Sequence, residues 1–242
     1  MDSVMDSAMN WHARIDRLIN LLKWPAAALA VAGTPLLAWA LLKLSLRIVL
    51  APSWSLLFFV LGVAAFILLW RRWLGRSRFG GFLITLEHES THALFALLTG
   101  HRIIGFRASL GRGGEVHFAG RGNWLIAAAP YFFPTAALLL FLVAYLLPFP
   151  GLPWQSFLLG VALGYHIVST YRETHRDQTD LQLLGMTFCW LFLPAANLAV
   201  VGLLVSFAHT SSQGLSVWLG DITQPLAAFL QWLPRGSAQF FP

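Results

Sequence analysis

The chain has 242 residues, of which 57% are hydrophobic and only 11% are charged. Soluble domains carry about 25% charged residues, so this composition excludes an ordinary soluble protein and predicts a polytopic membrane protein. The formal net charge of +6 does not indicate a nucleic-acid-binding protein, because the basic residues form short clusters beside apolar runs and no long basic tract is present.

In chain order, the sequence first shows an amphipathic stretch at 10–23, which we expect to form a helix in the membrane interface. Six apolar runs of helical length then predict an all-α fold with about six transmembrane helices. These runs lie at roughly 24–42, 54–70, 80–100, 123–148, 154–171 and 182–208. The tail after residue 208 has mixed polarity, and we expect it to lie in the interface or to form a short seventh membrane element.

The expected organisation therefore has three parts. Residues 1–79 hold the interfacial helix and two spans, 80–208 form the membrane core, and 209–242 form an interfacial tail. One connection in the core departs from the helical pattern, because "IIGFRASL" and "GEVHFAG" flank the glycine-rich "GRGG". This pattern predicts a small membrane-associated β-hairpin between the third and fourth spans.

The third apolar run contains an unusual group of ionisable residues, His88-Glu89-Ser90-Thr91-His92. Positions i and i+4 share one face of a helix, so both imidazoles can bind a single zinc ion, and the intervening glutamate can act on a water molecule as a general base. The alternative is a set of polar side chains hydrogen-bonded to neighbouring helices, as in the proton relays of transporters. The spacing favours the metalloprotease motif.

A catalytic zinc site needs a third protein ligand and an open fourth position. The acidic segment at 164–185 offers four candidates, which are Glu173, His175, Asp177 and Asp180. All four side chains are chemically able to bind zinc, and the helical periodicity of the three carboxylates does not separate them.

The chain resembles the site-2-protease family of intramembrane zinc metallopeptidases, especially its small M50B-like members, over residues 81–186. The resemblance rests on "HESTHALFALLTGHRI", the predicted hairpin, "APYFFPT" and "QTDLQLLG". It implies that His88 and His92 are zinc ligands, that Glu89 is the general base and that Asp180 is the third ligand. Family members often show an Asn-Pro-x-Asp-Gly-like sequence, whereas here Leu181 follows Asp180, so the other three candidates stay open.

The expected function is that of a zinc-dependent endopeptidase that cuts membrane-embedded or membrane-adjacent substrates. Its partners would be a membrane protein or peptide substrate and the lipid bilayer, with no nucleic acid, and its location the bacterial inner membrane. The hairpin at 102–119 is expected to pair with an unwound substrate strand. The alternative is a non-proteolytic transport or assembly protein that uses the His/Glu cluster for metal or proton handling.

The basic residues give conflicting indications of membrane orientation. The loops at 101–122 and 172–181 are rich in arginine and the "PFPGLP" connection has none, which places the two loops in the cytoplasm by the positive-inside rule. With six alternating spans, however, the four arginines between residues 71 and 78 would lie on the opposite side. The conflict predicts that an early segment does not span the membrane or that the orientation is reversed.

Overall fold

The computed structural model describes residues 2–110, 113–146, 153–175 and 177–232. Within them lie nine α-helices, two short 3-10 helices and one two-stranded sheet. The helices are α1 Asp2–Leu21, α2 Lys23–Leu50, α3 Trp54–Arg72, α4 Arg78–Leu98, α5 Trp124–Ala128, α6 Thr135–Leu146, α7 Pro153–Glu173, α8 Thr179–Leu184 and α9 Met186–Trp232. Three parts of the expected elements fall outside the described residues: the first two residues of "GRGG", the end of the run at 123–148 and the last part of the tail.

Each of the six apolar runs contains helix, and the run at 123–148 is bent. Its first part, Trp124–Tyr131, meets Thr135–Val143 at 79°. Pro130 and Pro134 lie at the bend, where each removes a backbone N–H that a continuous helix would use. Three helices, α2, α3 and α9, are long and apolar enough to cross a membrane, and the bent α5–α6 pair is a fourth candidate among the described residues.

The long helix α9 folds back on itself at Thr210 and Ser211, whose backbone dihedrals are not helical. A Cβ atom added to Gly202 would lie 2.1 Å from the Trp218 ring, and one added to Gly214 would lie 2.0 Å from the Ser206 carbonyl oxygen. In a continuous helix, residues 16 positions apart are about 24 Å apart. The two halves of α9 are therefore antiparallel, and the region expected as an interfacial tail begins as a returning helix.

Helices α3 and α7 pack closely through glycines. A Cβ atom on Gly160 would lie 2.0 Å from the Phe59 carbonyl oxygen, so the two backbones are in direct contact, as is common where helices associate in membranes. Further along the pair, the Arg172 guanidinium lies 5.9 Å from the centre of the Trp70 ring. The contact moves towards the C-terminus of both helices together, from Phe59 with Gly160 to Trp70 with Arg172. Helices α3 and α7 therefore run parallel.

Helix α4 connects the end of α3 to a region that contacts α1. It starts a few residues after α3 ends. Just after α4 ends, His101 Nε2 lies 3.1 Å from Asp16 Oδ2 of α1, and α1 directly precedes α2. Strict alternation of the six expected spans would make α3 and α7 antiparallel, whereas the two helices run parallel. The expected number of about six spans is not confirmed, because three or four candidate spans lie among the described residues.

The expected hairpin follows α4 directly. Strand β1 (Ile103–Ser109) pairs antiparallel with β2 (Gly113–Phe118), with Phe106 opposite Val116. Both strands contact α4, and β2 continues past the cavity described below towards the start of α5. The hairpin thus lies against the helix that carries the histidine motif.

Candidate metal centre

Helix α4 places His88, Glu89 and His92 at one location. It begins at Ser77, whose hydroxyl accepts a hydrogen bond from the Gly80 N–H at 2.9 Å, a typical N-cap contact. Both histidines are buried, and their Nε2 atoms lie 3.1 Å apart. The i, i+4 spacing therefore brings the two imidazoles together as the sequence indicates.

A second segment, far away in sequence, brings a carboxylate to the two histidines. Asp180, in the first turn of α8, has its Oδ2 atom 3.4 Å from His88 Nε2 and 3.1 Å from His92 Nε2. Burial raises the pKa of the Asp180 carboxyl, but hydrogen bonds with His88 and His92 outweigh burial and hold the pKa below its usual value. One oxygen of the Asp180 carboxylate therefore lies within contact distance of both imidazole nitrogens.

The three ligand atoms have the spacing of a zinc site. They form a triangle with edges of 3.1, 3.1 and 3.4 Å. Zinc bonds of about 2.0–2.1 Å in tetrahedral geometry separate neighbouring ligand atoms by about 3.3–3.4 Å. The donor set of two imidazole nitrogens and one carboxylate is also that of a catalytic zinc site with an open fourth position. Among the described residues, this is the one such group that could hold a metal ion.

Neighbouring groups orient the two histidines. His92 Nδ1 lies 2.8 Å from the Ile126 carbonyl oxygen of α5, so with a metal bound an Nδ1–H donated there would leave the Nε2 lone pair for the ion. The Tyr131 ring meets the His88 ring edge to face, with 5.4 Å between the ring centres. Tyr131 is fully buried beside the bend after α5, and no local sequence pattern identified it as part of this site.

The site opens into a cavity of about 770 Å³. Glu89 lines this cavity together with both histidines and Asp180, and β2 forms part of the wall. A Cβ atom on Gly114 of β2 would lie 2.5 Å from Glu89 Cγ, so the backbone of the strand passes directly over the glutamate side chain. Strand β2 and the three ligand side chains therefore border the same cavity.

The other candidates for the third ligand lie apart from the triangle. Glu173 lines the cavity and accepts a hydrogen bond from Gln178 Nε2, but it is not among the grouped ligand atoms. His175 and Asp177 are exposed. Two residues from the N-terminal helices, Asn20 and Lys23, also line the cavity, and no sequence pattern indicates that they belong there.

A model of the family described as Peptidase M50B-like matches residues 59–230, which include α4, the hairpin, α8 and nearly all of α9. This chain belongs to that family. No curated protein and no solved structure gives a match. Membership and the candidate spans together indicate an integral membrane protein of a protease family, as the resemblance implied.

Proposed function

We propose that this M50B-like protein is a zinc-dependent intramembrane endopeptidase that hydrolyses peptide bonds of membrane-embedded or membrane-adjacent substrates. The triangle formed by His88, His92 and Asp180, with Glu89 beside it in an open cavity, is the observation that carries the proposal. Two imidazoles and a carboxylate hold zinc while leaving the fourth position open to a reactant.

Zinc in this position would polarise a scissile carbonyl and acidify a water molecule. The His92–Ile126 contact keeps the imidazole in the tautomer that presents Nε2 to the metal. Glu89 removes a proton from the attacking water and delivers it to the departing amide nitrogen. One carboxylate serves both steps because it lies between the ligand positions on the same helix.

The hairpin supplies a docking edge for an extended substrate. Strand β2 has β1 on one side and contributes Gly114, Glu115 and Val116 to the cavity wall. A protease needs an extended backbone at the bond to be cut, and main-chain hydrogen bonds to a strand edge hold a peptide in that form. Substrate helices would therefore unwind locally before cleavage.

The proposed membrane topology follows from helix directions. The chain crosses through α2, α3, the bent α5–α6 pair, α7 and the two halves of α9, and α4 stays at one face. The arginines at 71–78, those of the hairpin and Arg172 then share that face, which removes the conflict in the basic residues. The positive-inside rule makes this face cytoplasmic, in a bacterial inner membrane or an equivalent one.

The decisive experiment separates the general base from the metal site. Glu89→Gln should lower cleavage about 10²–10⁴-fold, because the neutral amide cannot accept the proton, and should leave zinc content unchanged. Membrane proteomes of cells that express the wild type or Glu89→Gln identify the substrate by its accumulation, and blots of that substrate measure cleavage beside a zinc assay.

Asp177→Asn is the matched control, since Asp177 is an exposed carboxylate that lies apart from the triangle. Equal fragment yield from the wild type and Glu89→Gln would refute the protease mechanism. Absence of zinc from metal-replete wild-type protein would refute the metal assignment.

A further inference from the structure

The helix that carries Asp180 is too short to hold its own position. Helix α8 has six residues, and helices of this length are not stable in isolation. Leu181 and Leu184 are buried in a cluster that includes Ala27 of α2, Trp124 of α5 and Phe188 of α9. The position of the Asp180 carboxylate therefore depends on contacts with three other helices.

One of these contacts is polar and specific. Lys23 Nζ, at the start of α2, donates a hydrogen bond of 2.7 Å to the Leu184 carbonyl oxygen at the end of α8. The last four carbonyls of a helix lack partners within the helix, so a lysine is well suited to this end. The ammonium group also lies 5.1 Å from the centre of the Phe188 ring, a cation–π distance.

Helix α1, which directly precedes α2 in the chain, is attached to α5 by several hydrogen bonds. The Trp124 N–H donates to Asn20 Oδ1 at 3.0 Å, and the Trp124 indole N–H donates to the Ile19 carbonyl oxygen at 2.6 Å. The buried Asp16 carboxylate accepts a hydrogen bond from Asn123 Nδ2 at 2.8 Å and also pairs with His101. Helix α1 is thereby fixed to α5, the same helix whose Ile126 carbonyl orients His92.

Both halves of the ligand set are thus connected to the N-terminal helices. Helix α5 contacts α1 and orients His92, while α8 contacts Lys23 and carries Asp180. Lys23 lies outside residues 59–230, which match the family model. We propose that Lys23 is a positioning residue that holds α8 so that Asp180 reaches the two histidines, and that α1 holds Lys23 in turn. This inference rests on the proposed zinc site.

The test compares zinc affinity in intact protein carrying Lys23→Met, Lys23→Arg or Lys43→Met. Lys23→Met keeps an apolar side chain of similar length and removes the donor, and Lys23→Arg restores a cationic donor. Lys43 lies on the same helix but pairs with Asp221, which keeps Arg47 as a partner after the change. Zinc affinity is measured by competition with a chelator, and the visible spectrum of Co²⁺-substituted protein reports ligand number and geometry.

We expect Lys23→Met to weaken zinc binding about 10–100-fold, the usual effect of losing a group that orients a ligand. The cobalt spectrum should change as well, Lys23→Arg should recover most of the affinity, and Lys43→Met should match the wild type. Unchanged affinity in Lys23→Met overturns the proposal. So does an equal loss in Lys43→Met, or a Lys23→Met protein that fails to fold while Lys43→Met folds, because Lys23 would then stabilise the whole protein.

The two proposals fail in different ways. Wild-type protein that binds zinc but cleaves nothing contradicts the protease function and leaves the Lys23 comparison valid. Wild-type protein that cleaves its substrate while Lys23→Met keeps full zinc affinity contradicts the positioning role alone. Wild-type protein that binds no zinc contradicts both.

Discussion

Gly114→Ala tests whether β2 must lie directly against Glu89, the proposed general base. An added Cβ atom would lie 2.5 Å from Glu89 Cγ, 2.5 Å from Thr85 Cγ2 and 3.0 Å from the Arg107 carbonyl oxygen. Carbon atoms in favourable contact are about 3.5–4.0 Å apart, so the strand or the Glu89 side chain must shift by about 1 Å. A misplacement of that size at a reacting group costs about 10²-fold in rate.

We therefore expect Gly114→Ala to lower kcat/KM about 10²-fold and to leave zinc content unchanged. The zinc ligands are not among the nearest neighbours of the added atom, so the metal serves as an internal check on folding. The assay measures cleavage of the substrate identified with Glu89→Gln, in detergent or vesicles, and zinc on the same samples.

Gly105→Ala is the matched control on the other strand of the hairpin. Its added Cβ atom would meet only the His117 side chain, at an ordinary 3.5 Å, so activity should stay close to that of the wild type. Wild-type cleavage by Gly114→Ala would refute the close approach of β2 to Glu89. An equal loss in Gly105→Ala would show that the hairpin tolerates no added methyl group anywhere, and loss of zinc from Gly114→Ala would show that the displacement reaches the ligands.

Two further predictions concern the third ligand and the helix packing. Asp180→Ala should remove most of the bound zinc, because two imidazoles alone bind zinc weakly, whereas Asp177→Ala should retain the zinc. Metal analysis measures the zinc content of both proteins. Wild-type occupancy in Asp180→Ala would refute the assignment of Asp180 as the third ligand. Gly160→Leu should destabilise the protein by at least about 1–3 kcal/mol, because its Cβ would meet the Phe59 backbone. Gly33→Leu, where nothing lies within 4 Å, should leave the thermal midpoint unchanged, and equal midpoints for the two variants would contradict the packing.

The parts of the site that depend on local spacing were predictable from the sequence. His88, Glu89 and His92 share a helix face whenever the segment is helical, and the two strands of the hairpin follow from apolar runs around glycines. Asp180 was selected by the family resemblance and not by spacing, since Glu173, His175 and Asp177 have similar chemistry. The structure separates them by position, because only Asp180 lies with both imidazoles.

The direction of a helix is harder to predict than its presence. The six apolar runs predict helices, but they do not give the direction in which each helix runs or whether it crosses the membrane. The sixth run was expected to end at 208, and α9 reverses two positions later, at Thr210 and Ser211, where the sequence becomes polar. What stabilises the reversal is the contact of Trp218 with Gly202 and with Ala40 of α2, which forms only once distant segments meet.

The contribution of Lys23 has the same physical origin. A hydrogen bond between residues 161 positions apart leaves no periodic pattern, and a lysine beside a tryptophan at a helix start reads as an ordinary interfacial residue. Yet a six-residue helix is not stable by itself, so the position of the Asp180 carboxylate depends on the helices that α8 contacts. In this protein one of those surfaces is the start of α2, which α1 secures against α5. Helices α4 and α8 therefore carry the candidate ligands. Helices α1, α2 and α5 contribute no ligand, but their contacts hold α8 and orient His92.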